Sequence, residues 1–134
     1  MKSERERLQE LDNEPFYLKL FSGTRMPIAP NFTEVIMFND VFSVETEEGR
    51  KENIDDSEVI KLVKDLIWSN IDNFEFMEKN PGEPVKSFHN HNISFKINYI
   101  STSINRNTLN EDAKKIYYNL ENKLLEIINV DKYI

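Results

Sequence analysis

The chain lacks the residues on which several classes of functional site depend. None of its 134 residues is a cysteine, which excludes disulfides, cysteine-ligated zinc, iron–sulfur clusters and thiol nucleophiles. Its three glycines, Gly23, Gly49 and Gly82, lie far apart, so the sequence contains no glycine-rich loop for a phosphate. No apolar run approaches the roughly 20 residues that a membrane-spanning helix requires.

Basic residues are also in the minority, with 17 Lys and Arg against 24 Asp and Glu and a net charge of −7. This balance argues against non-specific binding to nucleic acid or to an anionic membrane, because both depend on Lys and Arg. The N-terminus has no apolar signal-peptide core, and the abundance of Asn, Ile and Lys is typical of AT-rich genomes, as in low-GC bacteria and their phages. We therefore expect a cytoplasmic protein.

Most of the negative charge lies in residues 34–65, which hold ten acidic and four basic residues, a balance of −6. A pair of carboxylates that catalyses glycoside hydrolysis needs one desolvated member, whereas this stretch is rich in turns and should be well hydrated. A solvated acidic surface is therefore the favoured interpretation. Such a surface suits a basic protein partner.

Alternating apolar residues predict strands at 16–21, 35–38, 41–44 and 93–97. Asn39-Asp40 predicts a two-residue hairpin turn in which Phe38 opposes Val41. In that register one face is wholly apolar and should face the core: Val35, Met37, Phe42 and Val44. Residues 24–33 are expected to be a loop, residues 74–77 a short strand, and residues 100–104 either the second strand of a hairpin or a continuation of the strand at 93–97.

Two main helices are expected. The first starts after Asp55-Asp56-Ser57 and runs to about Ile71, with Trp68 among the polar residues. Its apolar residues fill one continuous half of the helical wheel, in the order Leu62, Leu66, Val59, Val63, Ile67, Ile60 and Ile71. The second follows a capping box that begins at Thr108. The predicted fold class is α+β, an antiparallel sheet built from hairpins with two main helices packed on one face. Residues 15–134 form this single domain, and residues 1–14 a charged N-terminal arm or short helix.

His89-Asn90-His91 is the one candidate metal-binding motif, because residues i and i+2 of a strand point the same way. A zinc site needs at least one further protein ligand, and the sequence contains no third histidine and no His-Glu-x-x-His motif. Ser22-Gly23-Thr24 is not a nucleophile elbow. We therefore predict no catalytic residues and no cofactor, and keep His89 and His91 as weak metal candidates.

Aromatic residues are the more informative set, because several fall outside the expected core faces. These are Tyr17, Phe21, Phe38, Trp68 and Tyr118. Aromatic side chains ringed by charge are typical of protein-binding hot spots, although scattered exposed aromatics are also common. The alternative is that they belong to an ordinary core covered by the N-terminal arm or by the 78–92 loop.

The resulting hypothesis is a non-enzymatic binding protein of the immunity or inhibitor type that acts on a basic partner. Phe38 and Trp68 are the candidate anchors, while Glu45, Glu47 and Glu48 steer the association. One alternative is a metal-dependent enzyme or metal-binding protein that uses His89 and His91. The other is a structural or homodimerising domain that buries its second sheet face.

The segment Tyr17-Leu18-Lys19-Leu20, followed by Ser22-Gly23-Thr24, a loop, an acidic hairpin and a helix, resembles some small acidic phage anti-CRISPR proteins. The resemblance covers about a third of the chain and consists of a strand and a turn that many sheet proteins contain. It implies that acidic residues 34–65 imitate nucleic acid. The chain departs from the resemblance by an additional hairpin and a C-terminal helix.

Overall fold

A computed structural model describes residues 15–134, so the predicted N-terminal arm at 1–14 lies outside the described residues. Residues 15–134 contain six strands and three helices, which confirms the predicted α+β class. The elements are β1 (Tyr17–Thr24), β2 (Asn31–Phe38), β3 (Val41–Thr46), β4 (Gly49–Ile54), α1 (Ser57–Ser69), α2 (Ile71–Glu78), β5 (Asn90–Ile97), β6 (Ile100–Asn105) and α3 (Glu111–Ile128). Short 3₁₀ turns occupy Arg106–Thr108 and Val130–Lys132.

The strands form one antiparallel sheet in the order β4-β3-β2-β1-β5-β6. Three consecutive hairpins build the part of the sheet from β1 to β4. The chain then crosses over through α1 and α2, and β5 pairs with the other side of β1. This arrangement leaves β4 and β6 as the two edge strands.

Two of the two-residue turns, Asn39-Asp40 and Asn98-Tyr99, lie at the same end of the sheet. Phe38 pairs with Val41 as predicted, and the second turn shows that residues 93–104 form a hairpin, in which Ile97 pairs with Ile100. The first residue of each turn is an asparagine with positive φ, 55° at Asn39 and 52° at Asn98. Asn tolerates this left-handed conformation better than most residues, which explains its position there.

The hydrophobic core lies between one face of the sheet and the helices. All four residues predicted for the core face of the β2–β3 hairpin are buried, and β1 and β5 add Leu18, Leu20, Ile93 and Phe95 to the same face. Phe74 of α2 packs edge to face on Phe95, with 4.7 Å between the ring centroids. We call this the inner face of the sheet, and the opposite one the outer face.

Helix α1 presents the predicted apolar side to the core, with Leu62 at its exposed border. Ile60, Val63 and Ile67 are buried, whereas Leu62, at the edge of the predicted apolar half, is 47% exposed. Trp68, which the wheel placed among polar residues, is half-buried and packs against the core. The helix has seven apolar residues, and the three that are buried all belong to the predicted half.

The prediction of a short strand at residues 74–77 is wrong, because these residues belong to α2. Phe74 and Met77 are buried at helical i,i+3 spacing, while Phe76 is 40% exposed. The apparent alternation Phe74-Glu75-Phe76 therefore combined one core residue with one surface residue. A short apolar run does not distinguish strand from helix by its period alone.

Two other elements differ from the sequence prediction. The loop expected at 24–33 ends at Asn31, where β2 begins, and a fourth strand occupies residues 49–54. Helix α3 is capped by Asn110 and not by Thr108, because the Asn110 Oδ1 accepts from the Ala113 N–H at 2.9 Å. No helix within residues 15–134 combines the length and the hydropathy needed to cross a membrane.

Candidate functional site

The outer face of the sheet carries an apolar corner beside the turn at Asn39-Asp40. We define the apolar corner as Tyr17, Ile36, Phe38 and Val41, which lie on three adjacent strands and share the outer face. Phe38 is 54% exposed and Val41 is 41% exposed, whereas Tyr17 and Ile36 are half-buried. Cross-strand pairing makes these side chains contiguous, because Tyr17 opposes Phe38 and Phe38 opposes Val41.

A partner that docks on the corner would bury its apolar side chains away from solvent. The core helices pack on the inner face, so none of the helices in the described range covers it. Exposed Lys19 and Lys96 border it on the β1 and β5 side, and exposed Asp40 borders it at the turn. An apolar centre with a charged rim is the usual anatomy of a protein-binding surface.

The predicted acidic residues lie at the opposite end of β3 from this corner. Glu45 is at the end of β3, and Glu47 and Glu48 form the turn into β4. Glu48 is exposed, while the Glu47 Oε2 accepts a hydrogen bond from the Phe32 N–H at 3.1 Å. The fold therefore separates the acidic turn from Phe38 by the length of a six-residue strand.

Arg25 neutralises part of this acidic region. Its guanidinium lies over the ring of Phe32, 4.1 Å from the centroid, and forms ion pairs of 3.2 Å with Glu34 and 3.4 Å with Glu45. Arg50 contacts the other carboxylate oxygen of Glu45 at 3.6 Å. Glu45 is thus compensated by two cations, and Glu48 is the freer acidic charge of the three that sequence analysis selected.

Trp68, the second predicted anchor, lines a cleft at the turn end of the sheet. The cleft encloses about 370 Å³ between α1 and the two hairpin turns, and Asp40, Lys61 and Asn98 also line it. The Trp68 Nε1 is buried and makes no hydrogen bond with any residue in the described range. Phe38 and Trp68 therefore lie near the same end of the sheet, but Phe38 is on the outer face and Trp68 is on the helix side.

A polar cluster, which the sequence analysis did not foresee, joins β1, β5 and α3 and is only partly exposed to solvent. It consists of Ser22, His91, Tyr117 and Glu121. Ser22 Oγ donates to Glu121 Oε1 at 3.0 Å, and the His91 Nδ1 lies 3.1 Å from both oxygens of Glu121 and from Ser22 Oγ. Because an ionised carboxylate only accepts hydrogen bonds, Ser22 Oγ and His91 Nδ1 both donate to Glu121.

Tyr117 completes this cluster without a hydrogen bond. Its side chain is fully buried, and its hydroxyl has no partner in suitable geometry within the described part of the chain. Burial, reinforced by the nearby charge of Glu121, raises the pKa of Tyr117 far above its ordinary value. The phenol therefore stays neutral and cannot serve as a base at physiological pH.

The cluster has the residue types of a Ser-His-acid triad but not its geometry. In such a triad the two imidazole nitrogens contact different partners, one the acid and the other the serine. Here the Nδ1 atom of His91 faces both Glu121 and Ser22, and the serine hydroxyl donates to the carboxylate. The arrangement ties two strands to a helix and does not activate Ser22 as a nucleophile.

The two histidines considered as metal ligands are not equivalent. His91 is engaged with Glu121, whereas His89 is exposed, precedes β5, and accepts a hydrogen bond from Asn107 Nδ2 at its backbone oxygen. Within residues 15–134 no group of three or more His, Cys, Asp or Glu side chains is arranged to hold a metal ion.

One signal in the sequence points to Glu121. It follows Tyr117 by four residues and precedes Leu124 by three, so it falls within the apolar stripe of the last helix and is 5% exposed. A carboxylate in a buried stripe requires partners. Neither Ser22 nor His91 is marked in the same way, because only the pairing of β1 with β5 brings them opposite each other.

Comparison with known proteins adds no family or relative to these observations: no protein-family model matches the chain, and no curated protein is significantly similar to it.

Proposed function

We propose that the chain is a non-enzymatic binding protein of the immunity or inhibitor type whose partner is a basic protein. The observation that carries the proposal is the apolar corner, where Phe38 and Val41 are exposed on a sheet face that none of the described helices covers. Phe38 is the anchor because it is the most exposed of the four residues. Burying such an aromatic side chain contributes more to affinity than most other contacts.

The acidic turn has a separate role in this proposal. Glu47, Glu48 and the exposed acids that follow them attract a basic partner over a distance and raise the association rate, whereas the corner holds the complex together. Because exposed charges are screened by salt, the association rate should fall steeply as ionic strength rises. A rate that does not depend on salt would contradict steering.

Comparative capture from the native host tests the proposal. The tagged full chain and its F38S variant are used as baits, with F88S as a matched control because Phe88 is 72% exposed and lies outside the strands and helices. We expect one basic protein that wild type and F88S retain and F38S loses. Equal retention by F38S would contradict the proposed anchor.

The steering residues are tested on the captured protein. E48K reverses an exposed charge that makes no ion pair within the described residues, and E126K reverses an exposed charge on α3. We expect E48K to slow association severalfold at low salt with little change in the dissociation rate, and E126K to have a smaller effect. Equal effects of the two substitutions would show that the association rate depends on the net charge of the protein, which would contradict a specific role for the acidic turn.

A further inference from the structure

We propose that the edge strand β6 pairs in antiparallel fashion with β6 of a second copy of this chain, so that two six-stranded sheets join into one. The partner is another copy, and the contact consists of backbone hydrogen bonds along residues 100–104. The inference does not rest on the proposed function, since it uses neither the apolar corner nor the acidic turn.

The two edges of the sheet differ in how they are protected against such pairing. Strand β4 carries three consecutive charged residues, Arg50, Lys51 and Glu52, followed by Asn53 at a φ of 56°. Its register with β3 also shifts between Phe42 and Val44. Charges and irregular geometry are the devices by which proteins prevent edge pairing.

Strand β6 has none of these devices. Its sequence, Ile-Ser-Thr-Ser-Ile-Asn, contains no charge, proline or glycine, and half of it is β-branched. It pairs with β5 over six residues without a bulge. An uncharged and regular edge strand is a ready template for another strand.

The backbone of β6 presents donors and acceptors to the open side. Ile97 and Ile100 close a two-residue turn, so they form a hydrogen-bonded pair. Because hydrogen-bonded and non-hydrogen-bonded pairs alternate along an antiparallel ladder, the backbone N–H and C=O groups of Ser101 and Ser103 point away from β5. Both serines are exposed. No backbone hydrogen bond from either residue to a described residue outside the β5–β6 ladder is present.

The strand is complementary to itself. In a pairing centred on Thr102, Ile100 opposes Ile104 of the second copy, Ser101 opposes Ser103, and Thr102 opposes its own equivalent. Every pair then shares a face of the joined sheet, because 100, 102 and 104 are on the inner face and 101 and 103 on the outer face. No like charges meet, and Ser and Thr pairs are favourable across strands.

A groove beside the edge supplies room for an apolar side chain. It encloses about 180 Å³ and is lined by Met77, Pro81, Ile104 and Leu109, among others. In the Thr102-centred register, Ile100 of the second copy lies opposite Ile104, one of the residues that line this groove. The dimer therefore gains apolar burial in addition to its backbone hydrogen bonds.

Sedimentation of the full chain over about a hundredfold range of concentration tests the dimer. Wild type should shift from monomer to dimer, and S101E/S103E should weaken the dimer by about tenfold or more, because both outer-face pairs then juxtapose like charges. S101E/S103K places opposite charges in the same pairs and should retain the dimer. A monomeric wild type, or equal behaviour of the two variants, overturns the proposal.

Oxidative cross-linking tests the register independently. The chain has no cysteine, so T102C introduces a single thiol on the proposed two-fold axis, where opposing Cα atoms of a non-hydrogen-bonded pair are about 4.5 Å apart. T102C should form a covalent dimer readily, and S103C, which opposes Ser101 and not itself, should form it at least tenfold more slowly. Faster cross-linking of S103C, or of V85C in the exposed loop, overturns the register.

Discussion

At the scale of single residues, Tyr117 should differ from most buried residues, whose substitution lowers the free energy of unfolding. Its hydroxyl is buried without a hydrogen bond to any described residue. Because removing an unpartnered polar group also removes its desolvation cost, Y117F should leave the free energy of unfolding at pH 7 unchanged or raise it by up to about 1 kcal/mol. Urea denaturation measures this, and a loss of more than about 1 kcal/mol would show that the hydroxyl has a partner.

The same residue predicts the alkaline behaviour of the protein. Burial and the charge of Glu121 raise the pKa of Tyr117, so the folded chain keeps a phenolic proton that the unfolded chain releases above about pH 10. Stability should therefore be intact below pH 10 and fall as the pH rises beyond it. Y117F should flatten this fall, because phenylalanine has no phenolic proton to release.

Glu121 should be the most sensitive position in the polar cluster. E121A removes the acceptor for both Ser22 and His91 and leaves two polar groups without their partner, which should cost about 2–4 kcal/mol. E126A changes an exposed acid on the same helix and should remain within about 0.5 kcal/mol of wild type. Similar losses for the two variants in urea denaturation would contradict the structural role of the cluster.

At the scale of elements, the cap of α3 is a local determinant of stability. The Asn110 side chain accepts the Ala113 N–H, and Glu111 and Asp112 follow in the first turn, where acids are favourable. N110A should lower the free energy of unfolding by about 1 kcal/mol. N122A, at an exposed position inside the same helix, should not lower it, because Ala has the higher helix propensity.

The elements that the sequence predicted well are those whose pattern matches one face of the core. The β2–β3 hairpin is confirmed pair by pair, since Asn39-Asp40 sets its turn and an apolar face sets its register. Strand β4 escaped prediction because residues 49–54 are mostly charged and polar, and its pairing with β3 supplies what its own pattern lacks. Helix α2 escaped because eight residues are too few to establish a helical period.

At the scale of the whole molecule, the fold distributes the candidate site over two distant regions. The sequence correctly marked Phe38 as an aromatic residue outside the core, but its pattern did not show how far Phe38 lies from Glu45, Glu47 and Glu48. Strand β3 separates them, and Arg25 partly neutralises the acids. Such relations depend on tertiary pairing and cannot be predicted from the order of residues alone.

The most direct measurement for the central claim is the affinity of the captured basic partner for the purified wild-type chain, F38S and F88S, titrated under identical salt. If the apolar corner is the docking surface, F38S should weaken binding by about thirtyfold or more, as expected for a central aromatic anchor, while F88S stays within about threefold of wild type. Equal affinities of all three proteins would contradict the account.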